Sequence, residues 1–321
     1  MGIEILEPGL ATSVQDQGRP GYYSVGIPPS GALDLYSAAL GNFLVGNPAT
    51  AAVIEATYMG PKMRFTAPAI VAVTGAKVPV MVNGLEYPQW ESFSVAKGDE
   101  LTFGILQAGA RFYLAVSGGI AVEEVLGSRS TYALGAFGGY EGRSLKSGDL
   151  LPVGTGGGIA GRVAKADFRP EFNREVDVRV VLGLYDYRLT DVGLSALLDQ
   201  PWKLTPVADR IGFRYSGGKL DWKDRVQPFG AGSDPSNIVD AGYPIGSIQV
   251  PGGVEPIILH RDAVSGGGYA MVATVISADM SKVGQCAPGT VTNFRPVTLD
   301  EALAARAAAK DLLARARESL A

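Results

Sequence analysis

Residues 63–87, MRFTAPAIVAVTGAKVPVMVNGLEY, decide how the rest of the chain is read. Short apolar runs rich in valine and isoleucine are broken at Ala67-Pro68, at Gly75 and at Asn83-Gly84. Runs of this length, bounded by turn residues, belong to strands and not to helices. The pair Asn83-Gly84 predicts a two-residue hairpin, because both central positions of a type I′ turn need positive φ, which asparagine and glycine accept. The same pattern recurs in ESFSVAKGDELTFGIL, with a second such turn expected at Gly98-Asp99, and in RFYLAVSGGI, VDVRVVLG, GSIQVPGG, VEPIILHRD and YAMVATVIS. The 43 glycines fall at irregular intervals among these runs, which is the pattern of a mainly β protein with many turns and not of collagen.

Helices are few. DLYSAALGNFLVG has apolar residues at helical spacing after Asp34, a good N-cap, and stops at Gly46 before Pro48. TDVGLSALLDQ repeats the pattern from Thr190 or Asp191, and SADMSKVGQ is a short third candidate. Thr298-Leu-Asp-Glu301 is a capping box that opens ALAARAAAKDLLARARESL, whose arginine-rich face is most simply a solvated face, with a partner-binding face as the alternative. The segment TGGGIAGRVAKADFRPEFNRE is rich in glycine and charge, so it is expected to connect two β-rich halves. The expected organisation is residues 1–165, residues 166–297 and a C-terminal helix over 298–321.

Of the 321 residues 46% are hydrophobic and 19% charged, which allows large cores without metals or disulfides. A net charge of -4 and the absence of any basic run argue against a nucleic-acid surface. No segment reaches the roughly 18 apolar residues of a spanning helix, and MGIEILEPGL lacks the regions of a signal peptide. A cytoplasmic location without membrane attachment is the expectation. Cys286 is the only cysteine, expected to be a small buried or partly buried residue, and no intrachain disulfide is open to the chain. His260 is the only histidine, which removes multi-histidine metal sites, so no metal is expected. A Ser-His-Asp triad would have to use it, and no nucleophile motif supports one.

Four stretches carry candidate chemistry. The first, Ser13 to Asp34, SVQDQGRPGYYSVGIPPSGALD, sets Arg19 and Ser30 among prolines and glycines, as either a long turn or a built site. The second, Gly127 to Leu145, GSRSTYALGAFGGYEGRSL, combines Arg129, Ser130, Thr131 and Tyr132 with Gly138-Gly139 and Arg143. Arginine forks suit carboxylates and hydroxyls rotate to fit, although a surface loop would also look like this. The third, PVADRIGFRYSG, places Asp209 beside Arg210, as a structural ion pair or a site. The fourth runs from GSDPSNIVD, which holds Asn237, through the strand end at Asp262 to Ser265 and Tyr269. Strand ends beside loops of close backbone approach are where barrels commonly place ligands. The glycine-rich GGYEG, SGGI, GTGGG and SGGGY invite a phosphate reading, but none fits a P-loop or a dinucleotide fingerprint.

Taken together, VQDQGRPGYYSVGIPPSGALD, LVGNP, AVTGA, YLAVSGGI, LGSRSTY with GGYEGR, DRIGFR, and GGY with ATVISAD resemble the family of allophanate hydrolase subunit 2 domains. That family includes the C subunit of 5-oxoprolinase, an antagonist of a sporulation-kinase inhibitor, and half of the carboxyltransferase region of urea carboxylase. The similarity runs from about Ile3 to Val297. The resemblance implies two cyclophilin-like β-barrel halves and a subunit-1 partner, the pair forming a biotin-dependent carboxyltransferase unit. Biotin would be presented by a partner carrier, since this chain has no Ala-Met-Lys-Met motif. ATP would be used by a partner subunit, with a lactam-opening subunit or a biotin carboxylase as further partners, and the isolated chain would be inactive.

Carboxyl transfer to an amide needs donors for the carboxylate and a group that manages the amide proton; on that hypothesis Arg19 or Arg129 with nearby backbone N–H groups would bind the carboxylate, and Asp209 or Asp262 would orient the amide or take its proton. Ser30, Ser130, Tyr132, Gly138, Gly139, Arg210, Asn237 and Tyr269 would hold ring and substrate. The chain departs from the form of free-standing members, which have Leu-Ala-Asp and then threonine, where His260-Arg261-Asp262 and Ser265 stand here. DPSNIVD is closer to the Pro-Ser-Asn-Ile of urea carboxylases, so the substrate is open between 5-oxoproline and a urea-like or guanidine-like amide. The alternative is a regulatory protein that sequesters a histidine-kinase inhibitor without catalysis.

Overall fold

The strand Ala108–Val116 shows how period-two alternation becomes layers in the computed structural model, which describes residues 2–320. Phe112, Leu114 and Val116 point into one core, while Tyr113 and Ala115 point to the opposite face, against a helix. The chain divides into two compact units. The first comprises the residues up to Arg19, Ser30–Phe172 and those from Lys310 on; the second comprises Pro20–Pro29 and Asn173–Ala309. Relative to divisions at residues 165 and 297, Pro20–Pro29 goes with the second unit and the C-terminal helix is shared.

In the first unit a six-stranded sheet runs in the order Leu150–Pro152, Gly2–Glu7, Lys62–Phe65, Glu100–Phe103, Val80–Val82, Leu85–Tyr87. A five-stranded sheet runs Ala11–Gln15, Val53–Thr57, Ala108–Val116, Ala69–Lys77, Ser92–Val95. Ile3, Ile5, Met63 and Leu101 of one sheet and Ile54, Val73 and Leu114 of the other form a single core. The other face of the five-stranded sheet is covered by α1 (Leu35–Leu44), whose Leu40 and Leu44 pack with Tyr113. The Asp34 carboxylate caps this helix by accepting from the Ser37 N–H at 3.0 Å. Glu55 ties the entry loop down: its Oε2 accepts from the Leu33 N–H and the Tyr113 hydroxyl, each at 2.9 Å. Burial first, then the negative charge of Glu55, holds the Tyr113 hydroxyl well above the usual phenol range.

The expected hairpin is present, with φ of 51° at Asn83 and 82° at Gly84. The turn at Gly98-Asp99 is not a hairpin. Ser92–Val95 pairs with Ala69–Lys77, whereas Glu100–Phe103 pairs with Lys62–Phe65 and Val80–Val82, so the chain changes sheets at this turn. Gly98 has φ 93°, and the turn closes through the Asp99 N–H to the Ala96 carbonyl.

The second unit holds a closed seven-stranded barrel in the order Glu175–Leu182, Met271–Val275, Ser247–Gln249, Ile257–Leu259, Gly212–Ser216, Trp202–Ala208, Val291–Pro296. Its interior is filled by Val178, Val180, Leu204, Phe213, Tyr215, Ile248, Ile258 and Phe294. Beside it lies a two-stranded ladder of Asn237–Gly242 and Gly266–Tyr269. The helix α2 (Asp191–Asp199) is capped by the Thr190 hydroxyl, which accepts from the Gly193 N–H, and is pinned by the Trp202 indole N–H donating to the Leu197 carbonyl at 2.9 Å. The short α3 (Met280–Gly284) leads into Cys286, which is buried.

The last helix, α4 (Leu299–Glu318), opens with the expected capping box: Thr298 N–H to Glu301 Oε2 at 2.7 Å and Glu301 N–H to Thr298 Oγ1 at 3.2 Å. Its end is not simply a solvated face. Ala316 is buried in the α1 cluster and the Arg317 guanidinium lies over the Phe43 ring at 5.6 Å. No helix among the described residues is long and apolar enough to cross a membrane.

A Cβ on Gly84 would meet nothing within 4 Å, so a substitution there tests backbone conformation alone. Gly84→Ala is expected to cost about 1 kcal/mol. Urea unfolding of the first unit should show this as a lower midpoint, with hydrogen exchange accelerated along Val80–Tyr87.

Candidate functional site

The strand Ala11–Gln15 ends on Asp16, and the carboxylate of Asp16 collects donors from two distant segments. Its Oδ1 accepts from the Gly18 N–H at 2.7 Å, from the Ser128 hydroxyl at 2.6 Å and from the Ser130 hydroxyl. Its Oδ2 accepts from the Arg129 N–H at 2.6 Å. The loop is doubly fixed, because Ser130 Oγ in turn accepts from the Asp16 N–H at 2.9 Å. A carboxylate engaged by donors from two distant segments orders the loops around it.

Arg19 is buried beside this cradle. Its Nη2 donates to the Ser130 carbonyl, its Nε to the Val125 carbonyl at 3.4 Å, and its guanidinium lies 5.0 Å from the centre of the Phe137 ring. Gly138 and Gly139 make this approach feasible. A Cβ on Gly138 would strike the Ser130 carbonyl and stand 2.6 Å from Arg19 Nη2, and one on Gly139 would overlap Thr131 Oγ1; both have positive φ. Tyr132 exchanges backbone hydrogen bonds with Phe137 and meets its ring edge-on at 5.4 Å. Gln15 holds the next turn, donating to Ser13 Oγ at 2.9 Å and accepting from the Gly31 N–H at 3.2 Å beside the buried Ser30.

Arg129 itself uses its backbone here and sends its side chain elsewhere. Its Nε donates to the Val122 carbonyl at 2.8 Å and its Nη1 pairs with Glu124 at 2.6 Å. Arg143 forks onto Asp149 at 2.8 and 2.9 Å, and that hydrogen-bonded pairing holds the Asp149 carboxyl below its usual range.

In the second unit, Asp209, Arg210 and Asp262 come together at one end of the barrel. Asp209 Oδ1 accepts from the N–H groups of Ile211 and Gly212 at 2.8 and 3.2 Å, an Asx turn leading into the strand Gly212–Ser216. Arg210 forks onto Asp262 at 2.8 and 3.2 Å. His260 is buried with its ring 4.2 Å from that of Phe213. Tyr23, from the Pro20–Pro29 segment, belongs to this unit. Burial raises its pKa, the positive charge of Arg261 opposes that, and the Asp262 charge adds to it. Its hydroxyl oxygen is buried without a hydrogen-bond partner. Asn237 and Tyr269 face each other across the two-stranded ladder, and Tyr243 bridges the Tyr269 backbone through two hydrogen bonds of 2.7 Å.

Thus Arg19, Ser130, Tyr132, Gly138 and Gly139 cluster in the first unit, near Ser30, while Asp209, Arg210 and Asp262, and separately Asn237 with Tyr269, lie in the second. Sequence reasoning passed over Asp16, Ser128 and Tyr23 as residues of these clusters. Asp16 has a legible signal, an aspartate two residues before Gly18 at a strand end. A groove of about 650 Å³ in the first unit is lined by Phe43, Asn47, Arg162, Leu313 and Arg317 among others, and shares no residue with the Asp16 cradle.

A family model described as carboxyltransferase domain, subdomain A and B, matches residues 25–296. The urea amidolyase of Lachancea kluyveri is 37% identical over 311 residues, which cover 92% of this chain and 17% of that protein. The C subunit of the 5-oxoprolinase of Escherichia coli (strain K12) is 34% identical over 306 residues, covering 95% of this chain and 94% of that one. The crystal structure of the K. lactis urea amidolyase superposes with a TM-score of 0.92 at 35% identity, over 98% of this chain and 20% of that chain. The chain therefore spans only a small part of the urea amidolyases it matches.

Asp16→Asn places an amide donor among four donors, and should cost about 3 kcal/mol, read as a lower urea midpoint for the first unit. Asp149→Asn should show a pH signature. The folded-state pKa of Asp149 lies below its unfolded value, so the stabilisation is fully present above the ordinary carboxylate range and is lost as pH falls through the lowered value. The difference in unfolding free energy between wild type and Asp149→Asn should shrink over that acidic window; a constant difference would show that the charge contributes nothing.

Proposed function

This chain belongs to the carboxyltransferase-domain family, and from that membership we propose that it acts within an ATP-dependent enzyme that carboxylates or opens a small amide, together with a subunit-1 protein. The observation that carries the reading is the match to the C subunit of a 5-oxoprolinase over nearly the full length of both chains. An amide N–H of the 5-oxoproline type is accordingly the first substrate class. Urea is the second reading, favoured by the 37% identity to a urea amidolyase and by the segment Pro235-Ser236-Asn237-Ile238.

ATP use falls to a partner subunit, and biotin on a partner carrier supplies the carboxyl group. The fit of this chain to such a ligand rests on the barrel end, where the buried, unpartnered Tyr23 hydroxyl stands near Arg261 and Asp262. There Tyr23 donates a hydrogen bond to a carbonyl or carboxylate oxygen, and Arg210 orients it. Asp262 acts as a positioning residue, holding the planar Arg210 fork, and Asp209 fixes the turn that delivers Arg210. Arg19, Arg129, Ser130, Tyr132, Gly138 and Gly139 form a preorganised loop whose backbone is fixed by Asp16, with Ser30 in the adjoining turn.

The test is reconstitution with the subunit-1 protein and carrier, assayed for ATP-dependent turnover of 5-oxoproline and urea. Arg210→Lys, which keeps the charge and loses the fork, should lower kcat/KM at least about tenfold with assembly intact, mainly through KM. Unchanged kinetics would remove the barrel end from the site. A fully assembled complex inert toward both substrates would overturn the reading itself.

A further inference from the structure

Two guanidinium groups in the second unit meet at one backbone carbonyl with no carboxylate between them. Arg188, at the end of the short helical turn Asp186–Arg188, donates from Nη1 to the Asn237 carbonyl at 2.8 Å. Arg225, from the loop after Trp222, donates from Nη2 to the same oxygen at 3.0 Å and also to Gln227 Oε1. Arg188 is 7% exposed and lies over the Tyr185 ring at 4.7 Å. The Nε atoms of both arginines are buried and have no acceptor. Neither arginine forms an ion pair with Asp or Glu among the described residues.

This pairing differs from the other arginine arrangements described above. Arg210 forks onto Asp262 and Arg143 onto Asp149, while Arg19 donates to backbone carbonyls and lies against an aromatic face. Buried cations are normally paired, because desolvation disfavours the charge and a neighbouring like charge adds repulsion. Both effects are visible at Arg225, whose pKa is lowered by burial and then by the charge of Arg188, with only the Tyr187 and Tyr185 hydroxyls opposing them. Two planar forks converging on one point, each with an N–H left over, match a planar two-oxygen anion better than a point charge.

We propose that Arg188 and Arg225, with Tyr185 as the stacking floor beneath Arg188, form a binding site for a small carboxylate in the second unit. The anion completes the charge balance that the protein leaves open and accepts from the buried Nε–H groups. The Asn237 carbonyl sets the spacing of the two forks. The site needs no partner subunit, so it stands or falls separately from the catalytic reading above.

The experiment uses the full chain in isothermal titration and thermal unfolding, with sodium acetate as the probe. Phosphate is the second arm and chloride at matched ionic strength the reference. Acetate should bind saturably and raise the unfolding midpoint beyond chloride, as expected for a ligand of the native state alone. Arg225→Gln and Arg188→Gln should each weaken acetate at least about tenfold, since each removes one charged fork, while Arg306→Gln on the exposed face of α4 leaves binding unchanged. If Arg188→Gln does not fold, Arg225→Gln decides, because Arg225 lies on a loop and not in the barrel. Equal acetate affinity in Arg225→Gln and wild type, no effect of acetate beyond chloride, or binding of phosphate without acetate would each overturn the proposal.

Discussion

The carboxylate of Asp16 is the constraint on which the first unit's loops depend. Four donors reach it, from Gly18 two residues away and from Ser128, Arg129 and Ser130 more than a hundred residues along the chain. Three of these donors share Oδ1 and the Arg129 N–H takes Oδ2, so the carboxylate is engaged by the fold on both oxygens. The consequences run outward. With Ser130 fixed, its carbonyl can receive Arg19; with Arg19 in place, residue 138 has no room for a side chain; and with Gly138 at positive φ, Phe137 comes to lie against the guanidinium.

The second unit uses carboxylates differently. Asp262 and Asp279 each engage one arginine through two nitrogens, Arg210 and Arg179, and both carboxylates are buried. Removing one member of such a pair strands the other's charge, which is far more costly than the pair is stabilising. These pairs therefore fix side-chain direction more than they add stability. Arg210 is held in a plane at the barrel end by this fork. Arg188 and Arg225 have no such partner, and their geometry is set by a neutral carbonyl instead.

Local signals were legible in the sequence and non-local ones were not. The Asn83-Gly84 hairpin, the Asp34 cap and the Thr298-Glu301 box each depend on residues within four positions, and each is present. Gly98-Asp99 carries nearly the same local signal, but which strands pair on either side of it is set elsewhere, and there the chain changes sheets. Pro20–Pro29 sits with the second unit although its neighbours on both sides belong to the first, a placement no local pattern encodes. The site shows the same division. Residue type drew attention to Arg129, yet its guanidinium serves Glu124 and Val122 nearby, and what reaches the cradle is its backbone N–H. Asp16 has a local signal in its spacing to Gly18, but three of its four donors lie more than a hundred residues away, where no local pattern reaches.

The glycine-rich loops follow from the same reasoning. A phosphate cradle needs backbone N–H groups that point outward with no partner. In SGGI the Gly118 N–H donates to Asn47 Oδ1 and the Gly119 N–H to the Val116 carbonyl. In GTGGG the Gly154 N–H donates to the Gly119 carbonyl and the Gly158 N–H to Ser117 Oγ. In GGYEG the Gly142 N–H donates to the Gly138 carbonyl, and in SGGGY the Tyr269 N–H donates to the Tyr243 hydroxyl. Those donors are spent inside the protein. What glycine provides at Gly138, Gly139 and Gly142 is the absence of a side chain where one backbone segment lies on another, so the glycines serve close packing around Asp16 and Arg19.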